Sequence, residues 1–487
     1  SSTRNLQHGL TGVITYVSDL FEAESIERLS RLLMALLNSL VGGMATQADL
    51  PLGRLNILPR EEREQLLAWS RPSAPARERL LVHQFAAMGD LYAPAAPAVR
   101  YQDSVLSHGD LASHVDGLAR RLLEQGVRPG QRVGILLERR LELPVSMLAV
   151  LTAGGCYVPL DPGYPDERIA MLLDNAAVEL VITFTAMAER IRPRRTLLFS
   201  LSDSKGYPSR FIDSQDIKPV IISFPSIGDS DPAYLIHTSG TTGRPKAVEV
   251  SHRSAMQMLH YRLECLTPPW ACGLVPFYGS IAFDASVAQI FTVLAAGGCL
   301  LMLDTITDLA SSPHAGRVTA VSGTSSSIRE MIFERLMPRN VQVIGMGAEK
   351  IPADLIQRLQ EFPHLRHLFI VYGLTEAAGF STALTVEREQ LADFAACRNN
   401  IGTPIPGASV YVLDKERNLL PPGVSGEIHI GGDGVAKGYL QAPEEEQERF
   451  LPDPFGHSPG GRLLRTGDVG RWTNSGKLLF LGRMDQQ

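Results

Sequence analysis

Cysteine is scarce in this chain: five among 487 residues, at positions 156, 265, 272, 299 and 397, with no C-x-x-C spacing. So sparse and odd a count argues against a disulfide framework or a cysteine metal cage and fits a reducing, cytoplasmic setting. Buried free thiols are the expected state for most of them. Long apolar runs are missing too; a stretch such as Val145 to Leu151 is far too short to cross a bilayer. The opening SSTRNLQHG has no apolar core of a secretion signal. Positive charge is not in excess, at net −6, and no arginine-rich tract occurs, so neither a nucleic-acid nor a membrane partner is expected. Internal repeats and low-complexity tracts are absent. What remains is an ordinary hydrophobic share of 44% and enough length for about two to four domains.

Taken in order, Val13, Ile14, Tyr16 and Val17 look strand-like. Ser25 then precedes Ile26, Leu29, Leu32, Leu33, Leu36, Leu37 and Leu40 at helical spacing. From Leu58 onward helical and strand patterns alternate, the signature of an α/β fold. Glu61 to Trp69 reads as a charged helix, and Val82 to Met88 begins another. Ala98–Tyr101 with Val105–Ser107 predicts a hairpin, His108–Gln125 a helix and Arg132–Leu137 a buried strand. Residues 184–230 read as a variable surface region with short strands at Leu197–Phe199 and Val220–Ile222.

The stretch that organises the chain is YLIHTSGTTGRPKAVEVSH, Tyr234 to His252. An apolar run, Ala233 to Ile236, predicts a buried strand, and Val248 and Val250 a second strand returning from the loop. Between them lie Thr238, Ser239, Gly240, Thr241, Thr242 and Gly243, followed by Arg244, Pro245 and Lys246. Two glycines let backbone N–H groups converge on one anion, four hydroxyls add donors, and Arg244 and Lys246 bring positive charge. A triphosphate needs that set. A polar surface hairpin uses the same residue types, and the spacing is not the Walker pattern.

Further motifs follow in a fixed order: LAVLTAGGCYVPLDPGYP at 148–165, Phe283-Asp284-Ala285-Ser286, Tyr372-Gly373-Leu374-Thr375-Glu376, Gly426-Glu427-Ile428 with Gly432 to Leu440, Arg465-Thr466-Gly467-Asp468, and Gly482-Arg483-Met484-Asp485-Gln486. Together with the loop they resemble the adenylate-forming enzymes, and specifically the adenylation domains of nonribosomal peptide synthetases. Tyr16, Asp19, Leu20 and Phe21 are similar to the end of a condensation domain. The resemblance implies four segments: a condensation-domain remnant at 1–42, a linker at 43–57, an adenylation core at 58–482 and a truncated hinge at 483–487. The implied fold is the family's α/β N-terminal core, two layered α/β subdomains plus a β-barrel-like one, without the small C-terminal lid. On that ground the chain is expected to bind ATP and amino acid but to adenylate weakly, and acyl transfer is expected to fail.

By resemblance, Lys246, Thr375 and Glu376 carry the chemistry, with Thr375 on the α-phosphate and Glu376 on Mg²⁺. Thr238, Ser239, Gly240, Thr241, Thr242 and Gly243 would bind the ATP phosphates. Tyr372 would stack on adenine, Asp468 and Arg483 would reach the ribose, and Asp485 would be the hinge pivot. Asp284 would receive the substrate amino group; an aspartate there is also a good helix cap. The pocket positions are Asp284, Ala285, Ala288, Ser322, Gly345, Gly347, Val371, Gly379 and Phe380. No charged residue but Asp284 lies among them, which disfavours a charged substrate side chain. Small residues at 288, 345 and 347 suggest a deep pocket for a bulky neutral amino acid, although tight backbone packing would select them equally. The implied partners are a condensation domain and a peptidyl carrier domain whose phosphopantetheine arm takes the acyl group. Two departures stand out, Ala247 where the family has glycine and Leu374 where it has proline. An acyl-CoA or aryl-acid ligase, or a non-catalytic scaffold, are the rival readings.

Overall fold

The strand Arg132–Leu136 is buried on both faces, as are Cys156–Leu160 and Leu180–Phe184 beside it. Unbroken apolar strands of this kind belong in a parallel sheet covered on both sides. They form the middle of a seven-stranded sheet ordered Gly438–Tyr439, Lys246–Ser251, Pro232–Thr238, Cys156–Leu160, Arg132–Leu136, Leu180–Phe184, Arg195–Phe199. The helix Glu142–Thr152 links two of the parallel strands and buries nearly every side chain, so it reads as apolar all round rather than striped. The computed structural model describes residues 12–21, 23–46, 55, 57–73, 80–81, 93–191, 195–199, 223–239, 245–265, 273–347, 349–441, 447–456 and 460–484.

A second, four-stranded sheet orders Ser104–Ser107, Pro97–Tyr101, Cys299–Met302 and Leu274–Phe277. Its hairpin is the one expected from the sequence. The third sheet is ten-stranded and changes character along its length. Ala320–Thr324, Val343–Gly347 and His367–Tyr372 run parallel, and Thr382–Glu387 turns antiparallel. Beyond it lie Asn400–Pro404, Leu478–Arg483, Arg462–Trp472, Gly426–Gly432 and Ala408–Leu413, all antiparallel, with Phe450–Pro452 as the tenth strand, also paired to Arg462–Trp472. Arg462–Trp472 alternates buried and less buried residues, as a sheet with one wetter face requires. Trp472 at its end packs on Trp69, ring centroids 6.1 Å apart, and Gly476 closes the next turn where a Cβ would strike the Trp69 ring at 2.8 Å.

Three local expectations meet corrections or limits. Val13, Ile14, Tyr16 and Val17 form no strand; they are exposed, and none of the described strands pairs with them, so β-branched character has no ladder to join. The following helix, Ala23–Thr46, passes through the boundary expected at residue 42. It is tied to the rest by Arg28, which pairs with Glu62 at 3.2 Å and donates to Asn474 at 2.5 Å. Residues 82–88 and 220–222 lie outside the described residues.

Candidate active site

Strands of the seven- and ten-stranded sheets bring their ends to one region. Strand Pro232–Thr238 and strand Lys246–Ser251 are antiparallel neighbours with Thr238 opposite Lys246, so the glycine-rich loop closes a hairpin between them. Gly240, Thr241, Thr242 and Gly243 lie outside the described residues, as does Asp485; Ser239 and Lys246 mark the two described shoulders of the loop. Ala247, the departure from the family glycine, is fully buried in the strand and pairs with His237.

Tyr372 ends the strand His367–Tyr372, and a tight turn follows through Thr375–Ala377. Gly373 admits no side chain, because a Cβ would lie 2.3 Å from the Phe380 Cα. Ala378 and Gly379 both take positive φ, at 55° and 102°, and swing the chain back. This turn aims Thr375 at Asp284: the hydroxyl donates to Oδ2 at 2.8 Å. Asp284 is the first residue of the helix Asp284–Ala295, with Phe283 at the cap position, so the capping alternative does not describe it. Burial pushes its carboxyl above the usual aspartate range, while the Thr375 hydroxyl and the Ala285 N–H pull it down; the nearby Glu376 charge pushes up again.

On the other side of the turn, Tyr372 donates to Asp468 Oδ2 at 2.7 Å, and Arg483 donates to Oδ1 at 3.2 Å. Asp468 and Arg483 face each other in register on adjacent strands. Burial, then the Asp468 charge, raises the Tyr372 phenol well above its ordinary value, so it stays a donor. Phe480 covers the Tyr372 ring at 5.9 Å. Glu376 is buried and takes the Tyr439 hydroxyl on Oε1 at 2.6 Å. No hydrogen bond among the described residues falls on Oε2, and no group of three or more His, Cys, Asp or Glu gathers there as a metal cage. A lone carboxylate oxygen fits a hard cation carried in with phosphates, which is how Mg²⁺ is usually held.

The structure brings most of the sequence-read pocket together. Gly379 lies against Asp284, since a Cβ there would sit 3.9 Å from its carboxyl carbon and 3.6 Å from Met258 Sδ. Ala285 and Ala288 follow Asp284 on the same helix, the first exposed and the second buried. Ser322, Gly345 and Phe369 are neighbours across three parallel strands. Phe380 meets Tyr261 edge-on at 6.4 Å, and Tyr261 stacks on Phe369 at 6.1 Å. At Gly347 the space is taken: a Cβ would fall 2.6 Å from Val371 Cγ2, so packing accounts for that glycine. Sequence reasoning missed Met258 and Tyr261, whose one signal was their spacing on the helix His252–Cys265.

The profile described as AMP-binding enzyme matches residues 91–440. The chain belongs to this family. Within it the chain is similar to parts of nonribosomal peptide synthetases. It is 33% identical over 517 residues to the dimodular nonribosomal peptide synthase of Bacillus subtilis, covering 99% of this chain and 20% of that one. To the AMB antimetabolite synthetase AmbB of Pseudomonas aeruginosa it is 35% identical over 472 residues, 95% of this chain and 36% of that one. The chain thus spans well under half of these relatives. A four-domain nonribosomal peptide synthetase, holo-AB3403, solved bound to AMP and glycine, superposes with a TM-score of 0.76 at 25% identity, over 96% of this chain and 34% of that one. The three sheets are accordingly those of the family's large N-terminal core. Among the described residues no helix is long and apolar enough to cross a membrane.

Proposed function

We propose that this chain activates an amino acid by joining its carboxylate to the α-phosphate of ATP, with loss of pyrophosphate. The observation that carries the reading is Asp284, a half-buried carboxylate held by Thr375 on the very turn that also bears Tyr372 and Glu376. An ammonium leaving water needs such a counter-charge. With the amino group on Asp284, the substrate carboxylate is directed toward Thr375 and the phosphate-loop shoulder at Lys246. One carboxylate oxygen attacks the α-phosphorus, the bond to the bridging oxygen breaks, and pyrophosphate leaves with that electron pair. Lys246, Thr375 and the loop N–H groups are suited to hold the developing negative charge. Tyr372 and Phe480 frame the adenine side, and Asp468, an acceptor on both oxygens, takes the ribose hydroxyls with Arg483 beside it. Glu376 would hold Mg²⁺, which supplies charge neutralisation of the phosphates.

The substrate class favoured by Ala288 and Gly345, beside a cluster of Tyr261, Phe369 and Phe380, is a bulky neutral amino acid. The product would pass to the phosphopantetheine thiol of a carrier domain, in an assembly line that also holds a condensation domain. Calorimetric titration of an amino-acid panel, with a non-hydrolysable ATP analogue and Mg²⁺, tests the reading. One bulky neutral amino acid should bind and should be lost in Asp284→Ala. Undiminished binding of a carboxylic acid by that variant would favour an acyl or aryl-acid ligase instead, and absence of nucleotide binding would favour a scaffold.

A further inference from the structure

Tyr439 lies 63 residues from Glu376 in sequence, yet its hydroxyl donates to Glu376 Oε1 at 2.6 Å. Arg449 joins them: its Nη2 stands 3.7 Å from that same Oε1, its Nε 3.5 Å from the Tyr439 oxygen, and its Nη1 donates to the Thr466 carbonyl at 3.3 Å. The placement is set by the fold. Gly438–Tyr439 is a two-residue strand that adds to the edge of the seven-stranded sheet, pairing Tyr439 with Val248. That pairing puts the Tyr439 ring 5.3 Å from the Lys246 ammonium. Arg449 also reaches the ribose side, since a Cβ on Gly467 would lie 3.6 Å from its Nη1 and 3.4 Å from Arg483 Nη2.

Resting on the adenylation reading, we propose that Tyr439 and Arg449 are positioning residues for the Mg²⁺-nucleotide: both hold Glu376 by Oε1, which leaves Oε2 for the cation, while the Tyr439 ring keeps Lys246 at the phosphate end. A carboxylate that can rotate freely offers either oxygen and loses orientation on binding; one fixed through a single oxygen does not. Outer hydrogen bonds of this sort commonly matter about 10–100-fold to metal affinity. Arg449 meets the oxygen the cation does not need, so its charge orients the ligand without occupying the cation's place.

The test is binding of a non-hydrolysable ATP analogue by the whole chain across a Mg²⁺ series, with Mn²⁺ paramagnetic resonance as a second readout. In Tyr439→Phe and Arg449→Met the Mg²⁺ concentration at half-saturation should rise about tenfold, while binding of the analogue without Mg²⁺ stays within about twofold. Arg449→Lys should recover part of the loss. Midpoints within about twofold of the unaltered chain in both variants would overturn the proposal. Equal loss with and without Mg²⁺ would also overturn it, because the pair would then be purely structural. If the unaltered chain binds no analogue at all, the adenylation reading beneath it fails instead.

Discussion

At the proposed nucleotide end of the site, Tyr372, Asp468, Arg483, Glu376, Tyr439 and Arg449 are already joined by hydrogen bonds and ion pairs. At the proposed amino-acid end, the described wall is made largely of what is missing: Gly345 and Gly379 carry no side chain and Ala288 only a methyl, with a single carboxylate, Asp284, between them. On the proposed reading the first end receives the same nucleotide whatever the amino acid, so its partners can be fixed in advance. The second, on that reading, receives the amino-acid side chain, so its selectivity would be set by volume. Fixed chemistry is written in residue types; variable chemistry is written in space.

The sharpest test of that contrast removes the one charge at the open end. Asp284→Ala should cost about 3–5 kcal/mol of amino-acid affinity, roughly a hundredfold to a few thousandfold in Kd, and leave ATP-analogue binding alone. Loss of both ligands together in calorimetry would show that the two ends are not separable. Next in size, Asp468→Asn should weaken the ATP analogue by about 1.5–3 kcal/mol, since it removes the charged acceptor of Tyr372 and Arg483. Amino-acid binding measured without nucleotide should be unmoved.

A smaller effect probes whether a glycine is space or packing. Gly347→Ala should lower stability by about 1–3 kcal/mol, read from the urea midpoint, because its methyl would overlap Val371. Adding Val371→Ala should restore most of it, and failure to do so would mean the strand itself resists the change. The smallest effect is on pH. The folded Asp284 carboxyl is raised above its unfolded value, so between those two values the folded chain holds a proton that the unfolded chain has released. Stability therefore falls as pH rises through that window, and amino-acid affinity falls as pH drops through it. Thr375→Val removes a hydrogen bond that pulls the value down, so the affinity loss should begin at higher pH. Calorimetry in two buffers of different ionisation enthalpy, which counts the protons exchanged on binding, measures it.

How much was legible in the sequence follows the same division. The loop hairpin, the Tyr372 turn and the Asp468 segment could be read because each needs particular residue types at short spacing. The partners that tie them together could not. Tyr439 and Arg449 meet Glu376 only because an edge strand and a neighbouring segment converge on it across 63 and 73 residues. Met258 and Tyr261 read as ordinary apolar helix positions, and nothing local distinguishes a helix face that floors a pocket from one that fills a core. The strand expected at 13–17 failed for the opposite reason: local propensity was present and no neighbouring edge was there to use it.

Asp468 and Trp472 share one strand, four residues apart, which is roughly 13 Å along an extended chain. Trp472 is buried against Trp69, and the two are among only three tryptophans in the chain. Indole emission shifts toward longer wavelength when the ring meets water. The strand proposed to reach the ribose therefore ends in a natural optical gauge, and its seating can be followed by light without attaching a dye.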